Sequence, residues 1–202
     1  MNTQQPEAMV KIENLSAYYA ERKVLDNISL NIRSGEIMAI MGGSGAGKST
    51  LLRHMLGLMQ PDSGSIYLFG QEINNLRNKE LYKLRQKIGV AFQGGALLTS
   101  MTVGDNVALP LREHTKLDEN TIRIMVRMKL EMVDLSGCEG LMPTELSGGM
   151  LKRAALARAV VMDPKLLFFD EPSSGLDPIT AVELDELILR LKEAMNITIV
   201  VI

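Results

Sequence analysis

Gly42-Gly43-Ser44-Gly45-Ala46-Gly47-Lys48-Ser49-Thr50 is the stretch on which the fold turns. Its first eight residues fit G-x-x-x-x-G-K-[ST] without a mismatch. Ile37-Met-Ala-Ile-Met41 before it is continuously apolar, as a strand covered on both faces would be, and Lys48–Leu58 after it reads as a helix. A glycine-rich loop between strand and helix lets successive backbone N–H groups turn inward around a phosphate chain. The helix N-terminus adds positive potential. Lys48 can then reach the β- and γ-phosphates of a nucleotide, and the Ser49 hydroxyl can ligate Mg²⁺. No G-x-G-x-x-G can be drawn through these residues, so a dinucleotide fingerprint is not met.

On the N-terminal side, Met9–Leu15 and Val24–Arg33 alternate apolar and polar residues, as half-buried strands do, and Ser34-Gly35-Glu36 makes a turn. On the C-terminal side, Ser65–Phe69 and Ile88–Phe92 read as strands around a charged helix near Asn78–Gln86. From about Gly94 to Met162 the pattern is mostly helical, with Asp118 as the N-cap of a helix through Met132. Asp163-Pro164 ends the last helix of this block. Strand Leu166–Phe169, helix Ala181–Ala194 and strand Ile197–Ile202 follow. Strands alternating with helices indicate an α/β fold with a parallel sheet, here carrying a helical insertion.

The chain has 202 residues and a net charge of -2, which argues against non-specific capture of nucleic acid or of an anionic membrane. Cys138 is the single cysteine, so an intrachain disulfide framework and a Cys-only zinc site are excluded. Met1–Glu13 has no apolar signal-peptide core, and no apolar run is long enough to span a bilayer. The 14 methionines invite a metal reading, but Met125, Met128 and Met132 fall at apolar helical positions and are assigned to core or subunit packing. His54 is assigned to a packing or surface position and His114 to an exposed or partner-facing one, not to catalysis.

Two further stretches carry chemistry. Leu166-Leu-Phe-Phe-Asp170-Glu171 sets two carboxylates at the C-terminal edge of a strand, where parallel sheets bind ligands. There Asp170 can hold Mg²⁺, directly or through water, and Glu171 can orient or deprotonate an attacking water. In Leu146-Ser147-Gly148-Gly149-Met150, Ser147 is an N-cap candidate and the two glycines bare the first helical amides to an anion.

Together with Gln93 and Ser174-Gly-Leu-Asp177, these motifs stand in the order and approximate spacing of ABC-transporter ATPase subunits, which the chain resembles from about Val10 to Ile202. The resemblance implies a P-loop NTPase fold: a mostly parallel α/β core, an N-terminal antiparallel β portion and a helical subdomain at about 94–162, all within one domain over 1–202. It implies ATP and Mg²⁺ as cofactors. Nucleotide contacts fall to Tyr19, Gly42, Gly43, Ser44, Gly45, Ala46, Gly47, Lys48, Ser49 and Thr50. Ser147, Gly148 and Gly149 serve as the signature closing on the nucleotide of an opposite copy, with Asp177 communicating across that dimer. Glu171 and Gln93 are the implied catalytic residues, and Ser49, Gln93 and Asp170 the metal contacts. Tyr19 matches the aromatic that stacks on adenine better than Tyr18 does. Arg153 and Arg158 match structural basic positions. Met150 departs from the family, which often has Gln there; Met cannot make the same hydrogen bonds.

Gln93-Gly-Gly-Ala-Leu-Leu and Pro110-Leu-Arg-Glu-His-Thr115 are similar to the ATPases of bacterial Mla and Mce-associated lipid transporters. That resemblance implies a peripheral subunit on the cytoplasmic side of the bacterial inner membrane, powering phospholipid transport. Its implied partners are a second copy, permease subunits, and lipid-binding or small regulatory subunits, with no nucleic acid. An importer ATPase for amino acids or another polar solute is the alternative. A DNA-gripping ABC ATPase needs a long coiled coil between Gln93 and Ser147, for which the interval is too short. The resemblance also implies an early stop, because family members continue past Ile197–Ile202 into a histidine that contacts the γ-phosphate. Neither His54 nor His114 occupies that position, and weak hydrolysis is the expectation.

Overall fold

The computed structural model describes residues 8–202, and the chain divides into two compact units. The first comprises the described residues up to Arg85 with Thr198–Val200 and Ile202; the second comprises Gln86–Ile197 and Val201.

The first unit is built on a hairpin of β1 (Ala8–Tyr19) and β2 (Arg22–Arg33). β4 (Ser63–Leu68) pairs antiparallel with the other side of β1, and β5 (Gln71–Glu72) with β4, giving the order β2-β1-β4-β5. The buried positions of β1 change parity along the strand, from Val10 and Ile12 to Leu15 and Ala17. A regular ladder cannot do this, because a one-residue slip turns every side chain to the opposite face. The register breaks between Ile12 and Leu15, with Asn14 at φ 51, and this bulge supplies the extra residue. β2 makes the same change at Asn27, φ 53, between Leu25 and Ile28. Gly64 sits against the bulge at φ +89, where an added Cβ would lie 2.5 Å from the carbonyl oxygens of Glu13 and Asn14.

β3 (Ile37–Ala39) leads into the glycine-rich loop. Its neighbour is β8 (Thr198–Val201), whose Ile199 N–H donates to the Glu36 carbonyl at 3.0 Å. The continuous apolar run predicts a strand covered on both faces, yet Ile37 and Ala39 are exposed. Ile37 and Ala39 point to the same face of β3, and their exposure shows that this face lacks a packed layer over it. α1 (Lys48–Met55) buries Leu51, Leu52, His54 and Met55. From α2 (Asn78–Arg85), the Arg85 guanidinium donates to the carbonyls of Leu56 and Gly57 at 3.0 and 2.9 Å, satisfying acceptors just past the end of α1.

In the second unit, β6 (Ile88–Ala91) and β7 (Leu166–Phe169) pair in parallel, Ile88 opposite Leu166 and Ala91 opposite Phe169. All four residues of β7 are buried, as a run without alternation requires. The helices are α3 (Val103–His114), α4 (Glu119–Met132), α5 (Gly148–Val160) and α6 (Pro178–Met195), with a 3-10 turn at Pro143–Glu145. Each helix begins on a side-chain cap: Thr102, Asp118, Ser147 and Asp177 accept from backbone N–H groups of their first turns. α3 runs through Pro110, within the stretch that the sequence reads as mostly helical. Asn106, fully buried in α3, is satisfied by the loop before it, accepting from Leu98 N–H and donating to the carbonyls of Leu98, Met101 and Thr102. Small residues let α5 approach β6: an added Cβ on Gly89 would lie 2.2 Å from the Ala159 carbonyl oxygen. Met128 is exposed on α4, whereas Met55 of the first unit is completely buried.

Candidate functional site

Each unit carries its own set of the residues singled out from the sequence. In the first unit, Gly42 to Ala46 form an exposed loop closed by a turn from Ala46 N–H to the Gly43 carbonyl at 3.2 Å. Gly45 and Gly47 have φ of 78 and 90. Gly47 is the N-cap of α1, and a Cβ there would meet the Val24 carbonyl and the Leu25 side chain at 3.0 Å, so both conformation and space call for glycine. The Lys48 ammonium folds over the loop, donating to the carbonyls of Gly42 at 2.9 Å and Gly43 at 3.3 Å. Ser49, exposed, and Thr50, half-buried, stand in the first turn of α1. Tyr19 ends β1 with its side chain exposed, whereas Tyr18 has the Lys23 ammonium 5.8 Å over its ring.

His54 lies on the inner side of α1. Its Nδ1 is 3.1 Å from the Met59 carbonyl, and its buried Nε2 has no hydrogen-bond partner. Burial pushes the imidazole below its ordinary value, against smaller opposing effects from the Met59 carbonyl and Asp62. That environment fits packing, not a ligand or a base.

In the second unit, Asp170 and Glu171 follow β7, both half-buried. The backbone turns sharply there, with Glu171 at φ 45, an uncommon conformation for a residue with a Cβ. The Gln93 side-chain amide donates to the Glu171 carboxylate, and to the Ser174 hydroxyl at 3.3 Å. Gln93 and Glu171, far apart in sequence, are thus brought into contact.

α5 supplies the floor of this cluster, and the sequence did not point to it. The Lys152 ammonium donates to the Gln93 carbonyl at 2.5 Å and to the Glu171 carbonyl at 3.0 Å. Burial pushes Lys152 below its ordinary value, with the Glu171 and Asp170 carboxylates pulling the other way. Further along the same helix, the Arg158 guanidinium forks onto the carbonyls of Gly95 at 2.8 Å and Ala96 at 2.7 Å. From sequence alone a helical lysine reads as a solvated side chain; only the packing around it reveals another use. Arg153, in contrast, ion-pairs with Asp134 at 2.9 Å and Glu183 at 3.1 Å, a structural role as expected of its position.

At the N-terminus of α5, the Ser147 Oγ accepts from the Met150 N–H at 3.2 Å, which leaves the hydroxyl hydrogen to donate elsewhere. Gly148 is exposed, whereas Gly149 is buried against α6: a Cβ on it would lie 2.6 Å from the Thr180 methyl carbon. Asp177 is the α6 N-cap, accepting from the N–H groups of Ile179 and Thr180 at 3.1 Å and from the Thr180 hydroxyl at 2.6 Å. These bonds, the Thr180 hydroxyl first, hold its carboxyl below the usual carboxylate range.

A glycine-rich loop opening a helix, a Gln–carboxylate pair after a buried parallel strand, and a serine-capped Gly-Gly helix start define the class. The chain belongs to the ABC transporter family, whose model matches residues 25–174. It is similar to the intermembrane phospholipid transport system ATP-binding protein MlaF of Haemophilus influenzae, at 50% identity over 194 residues, 96% of this chain and 74% of that protein. The MlaF protein of Escherichia coli K12 is 48% identical over 194 residues, 96% of this chain and 72% of that protein. Among solved structures, a dimeric post-hydrolysis state of the ATP-binding cassette MJ0796 bound to ADP and Pi matches with a TM-score of 0.86 and 35% identity, covering 96% of this chain and 87% of that one.

Proposed function

We propose that this protein is the ATP-binding and ATP-hydrolysing subunit of a bacterial ABC transporter that moves phospholipid between membranes. The observation that carries the hydrolytic part is the Gln93 amide resting on the Glu171 carboxylate. It holds one carboxylate oxygen and leaves the other to take a proton from an attacking water. The phospholipid cargo rests on the similarity to two MlaF proteins at 50% and 48% identity.

The roles divide as follows. The amides of Gly43 to Lys48 and the Lys48 ammonium bind the β- and γ-phosphates. The Ser49 hydroxyl and Asp170 carboxylate are hard oxygen donors, the kind Mg²⁺ takes alongside water and phosphate oxygens, and the Gln93 side chain is a further oxygen donor. Bound Mg²⁺ neutralises charge on the phosphates and polarises the γ-phosphoryl group. Glu171 orients the water and accepts its proton, while Gln93 keeps the carboxylate in one position. Tyr19, exposed at the end of β1, offers a face on which adenine can stack. In a dimer, the free Ser147 hydroxyl hydrogen and the amides of Gly148 and Gly149 donate to the γ-phosphate bound by the opposite copy. Asp177 links that signature helix to the start of α6 through Thr180. Met150 contributes its backbone N–H to the Ser147 cap, so replacing Gln by Met leaves the phosphate contact in place.

Among the described residues no helix is long and apolar enough to cross a membrane. The similarity to MlaF proteins supports a subunit that works with integral-membrane permease subunits on the cytoplasmic face of the inner membrane. The test of hydrolysis is Glu171→Gln: Mg-ATP affinity should persist while turnover stops and a dimer accumulates. A monomer at saturating Mg-ATP, or turnover near wild type, would refute it. Reconstitution with the permease tests the cargo; stimulation by a polar solute and not by phospholipid would reassign it.

A further inference from the structure

Lys152 has no part in the roles above, yet it touches both candidate catalytic residues. It is 6% exposed, and its ammonium reaches the backbone carbonyls of Gln93 and Glu171 together. A lysine is costly to bury unless its charge is answered, and here two carbonyl dipoles and the nearby Asp170 and Glu171 carboxylates answer it. The two bonds close a ring. The Gln93 side chain holds the Glu171 side chain from one direction, and Lys152 holds both backbones from the other. Glu171 needs such restraint, because its φ of 45 is uncommon for a residue with a side chain and persists only where surroundings impose it.

We infer that Lys152 is a positioning residue. It ties the Gln93 loop, the Glu171 turn and the signature helix α5 into one body, and so sets the geometry in which Glu171 meets the attacking water. Arg158 extends the tie through the carbonyls of Gly95 and Ala96, so the loop after Gln93 rides on α5. A displacement of that loop is then delivered directly to Glu171 and to the helix that begins at Ser147. This rests on the hydrolytic role proposed above for Gln93 and Glu171.

The experiment compares wild type with Lys152→Met, which keeps length and bulk but cannot donate, and Lys152→Arg, which restores a cation with several donors. Steady-state ATP turnover and hydrogen exchange over residues 93–96 and 171–174 are both measured. Misplacing a reacting group by about 1 Å can cost on the order of 100-fold, so Lys152→Met should lose about 10- to 100-fold in kcat. Its KM for Mg-ATP should stay within about threefold, since the phosphate loop is untouched. Lys152→Arg should recover most of the rate. Exchange in both segments should quicken in Lys152→Met and return in Lys152→Arg. An unchanged kcat in Lys152→Met, or equal losses in both variants alongside a lowered melting temperature, would overturn the positioning role. If wild type binds but does not hydrolyse ATP, the hydrolytic reading falls by itself. Exchange then decides Lys152: protection unchanged in Lys152→Met rejects the tie, and protection lost and then rescued by arginine retains it.

Discussion

Gly149→Ala is the substitution whose cost the packing specifies most directly. A Cβ at Gly149 would lie 2.6 Å from the Thr180 Cγ2, a separation that forces movement. Thr180 cannot yield cheaply, because it is β-branched and its hydroxyl is held 2.6 Å from Asp177 in the α6 cap. Rotating it away sacrifices that bond, and pushing it back moves the first turn of α6. Overpacking of this kind costs about 1–3 kcal/mol. Replacing glycine by alanine within a helix returns up to about 1 kcal/mol. The net loss for Gly149→Ala therefore lies between about 0 and 3 kcal/mol, or up to about 12 °C in Tm for a chain of this size. Thr180→Ser deletes the offending methyl and keeps the hydroxyl for Asp177, so the double variant should melt close to wild type. The clean quantity is the coupling in a double-mutant cycle, measured by urea denaturation, with an expected value of at least about 1 kcal/mol. Additive effects within about 0.5 kcal/mol would refute the contact.

Gly64→Ala should be more damaging, because it combines a left-handed φ with a Cβ 2.5 Å from two bulge carbonyls; a loss of about 3 kcal/mol is expected by thermal denaturation, and a loss below about 1 kcal/mol would contradict the bulge geometry. His54 should make stability fall on the acid side. Its folded pKa lies below the ordinary 6.5, so the unfolded chain takes up the proton first. That stability is intact above about pH 6.5 and declines as pH drops toward the lowered folded value. Denaturation between pH 5 and 8 should show a shallower acid slope in His54→Leu than in wild type, and identical slopes would remove His54 as the cause.

Much of the helical architecture was legible locally. Asp118 and Ser147 cap the helices that their residue types mark, and Leu166–Phe169 is the buried strand its unbroken apolar run describes. Local chemistry suffices there, because a cap needs only its own first turn. α3 lies in the block that reads as mostly helical, and it persists through Pro110 because Val103, Val107, Ala108 and Leu111 are buried. The apolar run at β3 misled. Periodicity reports which residues tolerate burial, whereas exposure depends on which faces other elements cover.

The candidate site divides along the same line. Sequence alone determined the glycine-rich loop, its lysine and serine, the Asp170-Glu171 pair and the capped Gly-Gly helix start, because each is a contiguous stretch whose chemistry lies in its own backbone and side chains. Only the tertiary structure decided that Gln93 meets Glu171, that Lys152 holds both by their carbonyls, that Gly149 is required against Thr180, and that Asn14 and Asn27 reset the parity of the hairpin. Each of those depends on a partner from a distant part of the chain. A residue's type sets which bonds it can make, but folding chooses the neighbour with which it makes them.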